Sequence, residues 1–132
     1  TKEVMELFTP GSHGSTFGGN PLGAAVARAA MKVVIEEDLP GRSRELGDYF
    51  KQRLKAISSP HVKEIRGRGL FIGAVLEESA GGARRFCEAL MNKGLLCKET
   101  HYNVIRFAPP LVIQREDLDW ALARIEPVFM GP

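Results

Sequence analysis

The stretch Gly14-Ser15-Thr16-Phe17-Gly18-Gly19-Asn20-Pro21 decides how the rest of the chain is organised. Its glycines can adopt backbone conformations that other residues avoid, and Ser15 and Thr16 supply two hydroxyl groups. Asn20 and Pro21 are typical of a helix start, because Asn accepts hydrogen bonds from first-turn amides and Pro suits the first helical position. A hydroxyl-bearing loop that leads into a helix predicts an anion-binding site, with an ordinary tight connection as the alternative.

The composition is that of a soluble globular chain. Apolar residues make up 44% and charged residues 26% of the 132 positions, which suits one domain or part of a larger protein. A net charge of +2 with scattered basic residues does not favour nucleic-acid binding. Cys87 and Cys97 lack the spacing of a metal site, and no apolar run is long enough to cross a membrane. We therefore expect a reducing, cytoplasmic environment.

The pattern of apolar residues predicts an α+β fold. The helices are predicted over 21–38, 41–57, 80–93 and 115–130, and the strands over 4–8, 62–66, 70–76, 95–97 and 104–107. This order predicts a short, mostly antiparallel sheet that is covered by helices. The strand over 70–76 is apolar at nearly every position, so both of its faces are predicted to be covered.

Glycine and proline mark the predicted ends of these elements. Leu39-Pro40-Gly41 predicts a break between the first two helices, and Gly67-Arg68-Gly69 predicts the turn of a hairpin. The hairpin glycines do not form a dinucleotide-binding motif, because no helix follows them. Gly94 stands where a C-terminal cap glycine belongs. The helix before it is predicted to turn five apolar residues inward, namely Ala83, Phe86, Cys87, Leu90 and Met91.

Arg106 is the sharpest candidate for a binding residue. It lies among apolar neighbours in a predicted strand, where an inward-facing guanidinium would need an anionic partner. A guanidinium matches a carboxylate with two parallel hydrogen bonds, so a carboxylate ligand is the prediction and a water-facing arginine is the alternative. His13 and His101 lie in polar loops, where their surroundings favour a surface or hydrogen-bonding role, and an acid–base role is the alternative for each.

Four motifs, in this order, resemble the C-terminal part of the class III aminotransferases, which are pyridoxal-phosphate enzymes of fold type I. The motifs are His13-Gly-Ser-Thr-Phe-Gly-Gly-Asn-Pro-Leu22, Arg66-Gly-Arg-Gly-Leu-Phe-Ile-Gly73, Gly94-Leu-Leu-Cys-Lys-Glu-Thr-His101 and Val104-Ile-Arg-Phe-Ala-Pro-Pro-Leu111. The third and fourth motifs resemble the ornithine aminotransferase branch most closely, while the acetylornithine and 4-aminobutyrate branches share much of the pattern. The resemblance covers about residues 3–130.

The resemblance implies a role for three of these residues and a division of the chain. Ser15 and Thr16 would bind the phosphate of pyridoxal phosphate across the interface of a homodimer, and Arg106 would bind the substrate α-carboxylate. Residues 1–20 would be the end of the large cofactor domain, and residues 21–132 would be a bridging helix and the small C-terminal domain. No metal is implied.

The resemblance also implies an activity and a missing partner. The reaction would convert ornithine and a 2-oxo acid into glutamate 5-semialdehyde and an amino acid, as part of proline and arginine metabolism. The Schiff-base lysine of the family lies upstream of the Gly-Ser-Thr loop, and no lysine of this chain stands in a matching context. We therefore expect the chain to need the N-terminal portion of the same enzyme and to be inactive alone. A non-catalytic remnant that serves as an association module is the alternative.

Overall fold

A computed structural model describes residues 1–131 and divides the chain into two compact units, Thr1–Glu37 and the part from Asp38 onward. The first unit contains a short helix, α1 (Lys2–Met5), and a long helix, α2 (Pro21–Glu36). The predicted helix over 21–38 is confirmed, and it begins as expected because the Asn20 side chain accepts a hydrogen bond of 2.7 Å from the Gly23 amide. No residue of α2 is buried.

The predicted strand over 4–8 is wrong, because these residues lie at the end of α1 and in the turns that follow it. The amide of Met5 donates to the carbonyl of Thr1 at 3.1 Å, and the amide of Glu6 donates to that of Lys2 at 2.9 Å. Lys2 and Glu6 also form an ion pair one helical turn apart. A short apolar run has no periodicity that separates strand from helix, and here the local i to i+4 bonds decide.

The second unit confirms the predicted α+β class. Its elements are α3 (Leu39–Lys55), β1 (Val62–Arg68), β2 (Phe71–Leu76), a 3₁₀ turn (Glu78–Ala80), α4 (Arg84–Asn92), β3 (Lys98–Thr100), β4 (Val104–Phe107) and α5 (Arg115–Met130). The four strands form one antiparallel sheet in the order β1-β2-β4-β3. The predicted helices over 41–57 and 115–130 and the strand over 104–107 are confirmed, within a few residues at their ends.

The hydrophobic core lies between one face of this sheet and the helices α3, α4 and α5. Strand β2 contributes Ile72, Ala74 and Leu76, all almost fully buried, while Phe71 at the start of the strand is 59% exposed. The prediction that both faces of this strand are covered is therefore wrong for the described chain. Neighbouring side chains of a strand point to opposite faces, so burial alternates along β2. The sequence does not show this alternation, because nearly every position of the strand is apolar.

Helix α3 begins earlier than predicted, since Leu39-Pro40-Gly41 forms its first turn and not a break. The break lies at Asp38, which has a left-handed backbone (φ 43°) and whose side chain accepts from the Gly41 amide at 3.2 Å. An Asx cap followed by proline in the first turn is the same chemistry that starts α2. The helix is closely packed at Gly47, which lies against the turn between β1 and β2.

The segment between β2 and β4 differs from the prediction in two places. The predicted helix over 80–93 is a 3₁₀ turn followed by α4, and Met91, predicted inward, is 52% exposed. The predicted strand over 95–97 is wrong, since β3 begins at Lys98. Gly94 does cap α4 (φ 82°), and the amide of Leu95 donates back to the carbonyl of Leu90 at 3.0 Å. That bond occupies the Leu95 amide, so the chain pairs with β4 only after it has left the cap.

Candidate functional site

The loop before α2 presents its hydroxyl groups at the surface of the first unit. Ser15 and Thr16 are both exposed. The Ser15 hydroxyl accepts a hydrogen bond of 2.8 Å from the Gly18 amide, so its own O–H remains able to donate. Within residues 1–131, the Thr16 hydroxyl makes no hydrogen bond. Two hydroxyl donors in one tight turn form a donor set that suits the oxygens of a phosphate group.

Glycine at position 18 is required by the tightness of this turn. A Cβ atom built there would lie 2.9 Å from both the Cβ and the Oγ of Ser15. A larger residue would therefore push aside the hydroxyl that the turn presents. Gly19, which follows, has φ 80°, a conformation that glycine adopts without strain. His13, the acid–base candidate of this loop, is exposed and lies with its ring 5.7 Å from that of Phe8.

Arg106 lies in β4 on the face of the sheet opposite the helices. Its strand neighbours Ile105 and Phe107 point into the core, and the alternation of β4 turns Arg106 the other way. The guanidinium is half-buried and lies 5.7 Å from the centre of the Phe71 ring. The side chain therefore does not face the core, which is the condition under which a buried anionic partner is expected. Arg106 instead lines a groove on the open face of the sheet.

The register of the sheet places two further cations beside Arg106. Arg106 is paired with Gly73 of β2 on one side and with Lys98 of β3 on the other, and Gly73 is in turn paired with Arg66 of β1. Residues that are opposite one another in a sheet project to the same face. One row across the open face thus carries, in order, Arg66, Gly73, Arg106 and Lys98. None of the ion pairs between residues 1 and 131 includes any of its three cations.

A groove of about 510 Å³ lies over the part of this row formed by Arg66, Gly73 and Arg106, and Lys98 lies outside it. Its walls include both guanidinium groups, the Phe71 ring, the Thr100 hydroxyl and His101. His101 and the next residue turn the chain between β3 and β4 with left-handed backbones, φ 48° and 62°, which brings the imidazole to the rim. No acidic residue of the described chain lines the groove, so its chemistry is that of an anion site.

The sequence pattern alone does not find Arg66 and Lys98 as neighbours of Arg106. Arg66 lies 40 residues before Arg106 and Lys98 lies 8 residues before it, so only the pairing of the strands places the three residues in one row. The loop with Ser15 and Thr16 belongs to the first unit and Arg106 to the second, and each is described within its own unit. Residues 1–131 contain no cluster of three metal-ligating side chains and no helix that could span a membrane.

A match to a family model identifies the family of this chain. The model of the aminotransferase class-III family matches residues 1–129. The chain belongs to the class III aminotransferase family. Enzymes of this family depend on pyridoxal phosphate. The resemblance in the four motifs is confirmed by this match.

Individual relatives agree with the family assignment. The chain is 66% identical over 128 residues to ornithine aminotransferase 2 of Staphylococcus aureus, which covers 97% of this chain and 32% of that protein. It superimposes on the ornithine aminotransferase of Toxoplasma gondii with a TM-score of 0.84 and 41% identity, over 97% of this chain and 31% of that one. For the acetylornithine aminotransferase of Elizabethkingia anophelis the TM-score is 0.82 and the identity 39%, over 98% and 33%. The chain thus spans about a third of the length of these class III aminotransferases.

Proposed function

We propose that this chain supplies the phosphate-binding loop and the carboxylate-binding arginine of a pyridoxal-phosphate-dependent ornithine aminotransferase. The observation that carries the proposal is the 66% identity to an ornithine aminotransferase, which extends over nearly the whole chain. The complete protein would transfer the δ-amino group of ornithine to a 2-oxo acid and release glutamate 5-semialdehyde and an amino acid. It would act in the cytoplasm, in proline and arginine metabolism.

The loop residues Ser15 and Thr16 would hold the cofactor phosphate. Their exposed hydroxyls and the narrow turn at Gly18 support this role, because a phosphate accepts several hydrogen bonds at once. Pyridoxal phosphate, when bound, supplies the electron sink that amino-group transfer requires. In a homodimer, this loop would serve the cofactor of the neighbouring subunit.

Arg106 would hold the α-carboxylate of the amino acid and of the 2-oxo acid in turn. Its guanidinium lies on an open face, lacks a carboxylate partner within residues 1–131, and lines a groove with no acidic wall residue. A guanidinium without an anion beside a second guanidinium is electrostatically unfavourable, and a bound carboxylate relieves that repulsion. Thr100 lines the same groove, and its hydroxyl would donate a further hydrogen bond to the same ligand.

The division of labour within the complete protein follows from these roles. Residues 1–20 would end the large cofactor domain, and residues 21–132 would form a bridging helix and the small domain. The boundary between the two compact units of the described chain lies after Glu37, so α2 is in the same unit as the loop. The domain boundary at residue 20 stays a prediction. The partner would be an N-terminal portion that carries the cofactor-binding lysine, and this chain alone would not catalyse the reaction.

An acetylornithine aminotransferase is the second candidate, because one of the similar solved structures has that specificity and shares 39% of this sequence. The two candidates differ in whether the α-amino group of the substrate is free or acetylated. They share the same requirement for a carboxylate-binding arginine, so Arg106 does not separate them. Substrate preference of an assembled enzyme does.

A chimeric enzyme tests the proposal directly. The third of the Staphylococcus aureus ornithine aminotransferase that aligns with this chain is replaced by this chain, and transfer to 2-oxoglutarate is measured with ornithine and with N-acetylornithine. We expect activity with ornithine. We further expect Arg106→Lys to raise KM for both substrates by about 10- to 150-fold, the equivalent of about 1.5–3 kcal/mol, because a lysine cannot form the bidentate pair.

Matched controls make the outcome specific. Arg44→Lys in the same chimera changes an exposed arginine of α3 outside the groove and should leave both KM values unchanged. Preference for N-acetylornithine would move the assignment to the second candidate. A chimera that folds and binds the cofactor, yet shows the same KM values with and without the Arg106 change, would remove Arg106 from the carboxylate site.

A further inference from the structure

The two cysteines of the chain meet where α4 packs against β3. Cys87 lies on the buried face of α4 and is 6% exposed, and Cys97 is half-buried in the residue just before β3. Both side chains line one groove of about 440 Å³ on the surface of the second unit. Neither residue takes part in the proposed aminotransferase site, so their meeting needs its own explanation.

The fold brings the two thiols together by a reversal of the chain. The cap at Gly94 ends α4 and turns the backbone, and the bond from the Leu95 amide to the Leu90 carbonyl fixes the turn. The returning segment then runs alongside the helix. It is fastened there by Arg84 of α4, whose guanidinium lies 2.9 Å from a carboxylate oxygen of Glu99 in β3. The returning segment that carries Cys97 is thus fixed to α4 by the turn at Gly94 and by the ion pair between Arg84 and Glu99.

The chemistry of the pair is asymmetric. The proximity of the two thiols lowers the pKa of Cys87 and raises the pKa of Cys97, and burial raises the pKa of Cys97 further. The positive charge of Arg84 also lowers the pKa of the Cys87 thiol, though less than the neighbouring thiol does. Cys87 is accordingly the thiol that ionises first. A thiolate is the nucleophile in exchange with disulfides, and a second thiol beside it can resolve the product.

We propose that Cys87 and Cys97 are a thiol–disulfide exchange site, which a low-molecular-weight disulfide converts into an intrachain disulfide between α4 and the start of β3. The Cys87 thiolate attacks one sulfur of the reagent, and the other half of the reagent leaves as a thiolate. Cys97 then loses its proton to solvent and attacks the Cys87 sulfur, which expels the second half. The protein loses two electrons and two protons, and one reagent disulfide is reduced to two thiols.

Two other readings of the pair are less well supported by the structure. A metal site would need further ligands, and residues 1–131 offer no cluster of three suitable side chains. A purely structural pair of core residues would not need Cys97 to be accessible, whereas Cys97 is half-exposed at a groove that a small reagent can enter. The new bond would join α4 to the residue before Lys98, which pairs with Arg106.

Redox titration of the full chain tests the proposal. The reduced protein is equilibrated with mixtures of reduced and oxidised glutathione, and the exchange is stopped with acid. The protein is then alkylated in denaturant at neutral pH and weighed by intact-mass spectrometry. We expect an intrachain disulfide, seen as the loss of two hydrogen masses and of both alkylation sites. The equilibrium constant should be at least about tenfold higher in the folded chain than in concentrated urea, because folding holds the thiols together.

Variants and alternative outcomes complete the test. Cys97→Ser, which alters the more exposed partner, should stop at a mixed disulfide of Cys87 with one glutathione and should form no intrachain bond. An equal equilibrium constant in buffer and in urea would overturn the proposal, because the fold would then contribute nothing to the pairing. The proposal would also be overturned if both thiols remained reduced and were alkylated at every glutathione ratio, or if disulfides formed only between chains.

Discussion

Replacing Gly47 with alanine should destabilise the second unit, although alanine is the better helix former. Gly47 is buried where α3 meets the turn between β1 and β2. A Cβ atom at this position would lie 2.2 Å from both the carbonyl carbon and the oxygen of Gly69. Real Cβ contacts are not shorter than 3.0 Å, and the obstacle is backbone, which cannot rotate away. The helix and the turn must therefore move apart.

Two effects of opposite sign set the magnitude. Alanine in place of glycine inside a helix gains about 0.8–1 kcal/mol. Overpacking a tight contact costs about 1–3 kcal/mol. To reach an ordinary contact of 3.4 Å from 2.2 Å, helix and turn must separate by 1.2 Å, which also breaks the hydrogen bond of 3.2 Å from the Leu70 amide to the Ser43 hydroxyl. The lost bond adds about 1 kcal/mol. The steric cost prevails, and the free energy of unfolding should fall by about 1–3 kcal/mol.

Urea denaturation followed by circular dichroism measures this change. Gly23→Ala is the matched control, because it also replaces a helical glycine, but its Cβ would meet only the end of the flexible Asn20 side chain at 2.9 Å. We expect the control to leave the unfolding midpoint of the second unit unchanged and Gly47→Ala to lower it. If Gly47→Ala were as stable as the parent chain, the packing of α3 on the hairpin turn would not be as tight as argued.

Three further predictions concern charge and capping. Glu99 accepts hydrogen bonds from its own backbone amide and from Arg84, which lowers its pKa below the usual 4.5. The stability that Glu99 contributes is present above that value and is lost as the pH falls through the lowered pKa. In an acid titration, Glu99→Gln should therefore lose less free energy of unfolding below about pH 4.5 than the parent chain does. Asn20→Ala should weaken α2 by about 1 kcal/mol and reduce the helical signal, whereas Asn20→Asp should keep it. Arg66→Ala should weaken binding of glutarate in the Arg106 groove about twofold at low salt, since a unit charge two strands away, at about 10 Å, contributes about 0.4 kcal/mol in water; chemical-shift titration measures this, and an effect that persists in high salt would contradict it.

The sequence sufficed for those features that neighbouring residues determine. The start of α2 at Asn20 and Pro21 was predictable because a cap is made within one turn, and the same chemistry at Asp38 and Pro40 could have predicted the start of α3. The hairpin of β1 and β2 was predictable from its alternation and its glycines, but its turn lies at residues 69–70, because Gly67 and Arg68 still pair with β2. The errors over 4–8 and 95–97 lie in short apolar runs, where local bonding outweighs composition.

What the sequence could not supply depends on register. Arg106 stood out as a charge among apolar residues, but its neighbours Arg66 and Lys98 are distant in the chain and are placed beside it only by strand pairing. Cys87 and Cys97 are close in sequence, yet their contact depends on the turn at Gly94, whose geometry a residue count does not give. The proposed anion site and the proposed exchange site therefore both depend on distances that the fold sets and that the sequence spacing does not give.

The two faces of the sheet separate stability from binding within the same strands. Ile105 and Phe107 of β4 fill the core, while Arg106 between them serves the open groove, and β2 divides in the same way between Ile72 and Gly73. A Cβ at Gly73 would lie 3.2 Å from the Val104 side chain. A side chain at this position would therefore crowd Val104, which lines the same groove. Because alternation assigns each residue to one face, changes to the cationic row should alter ligand affinity with little effect on unfolding, and changes to the core face should do the reverse.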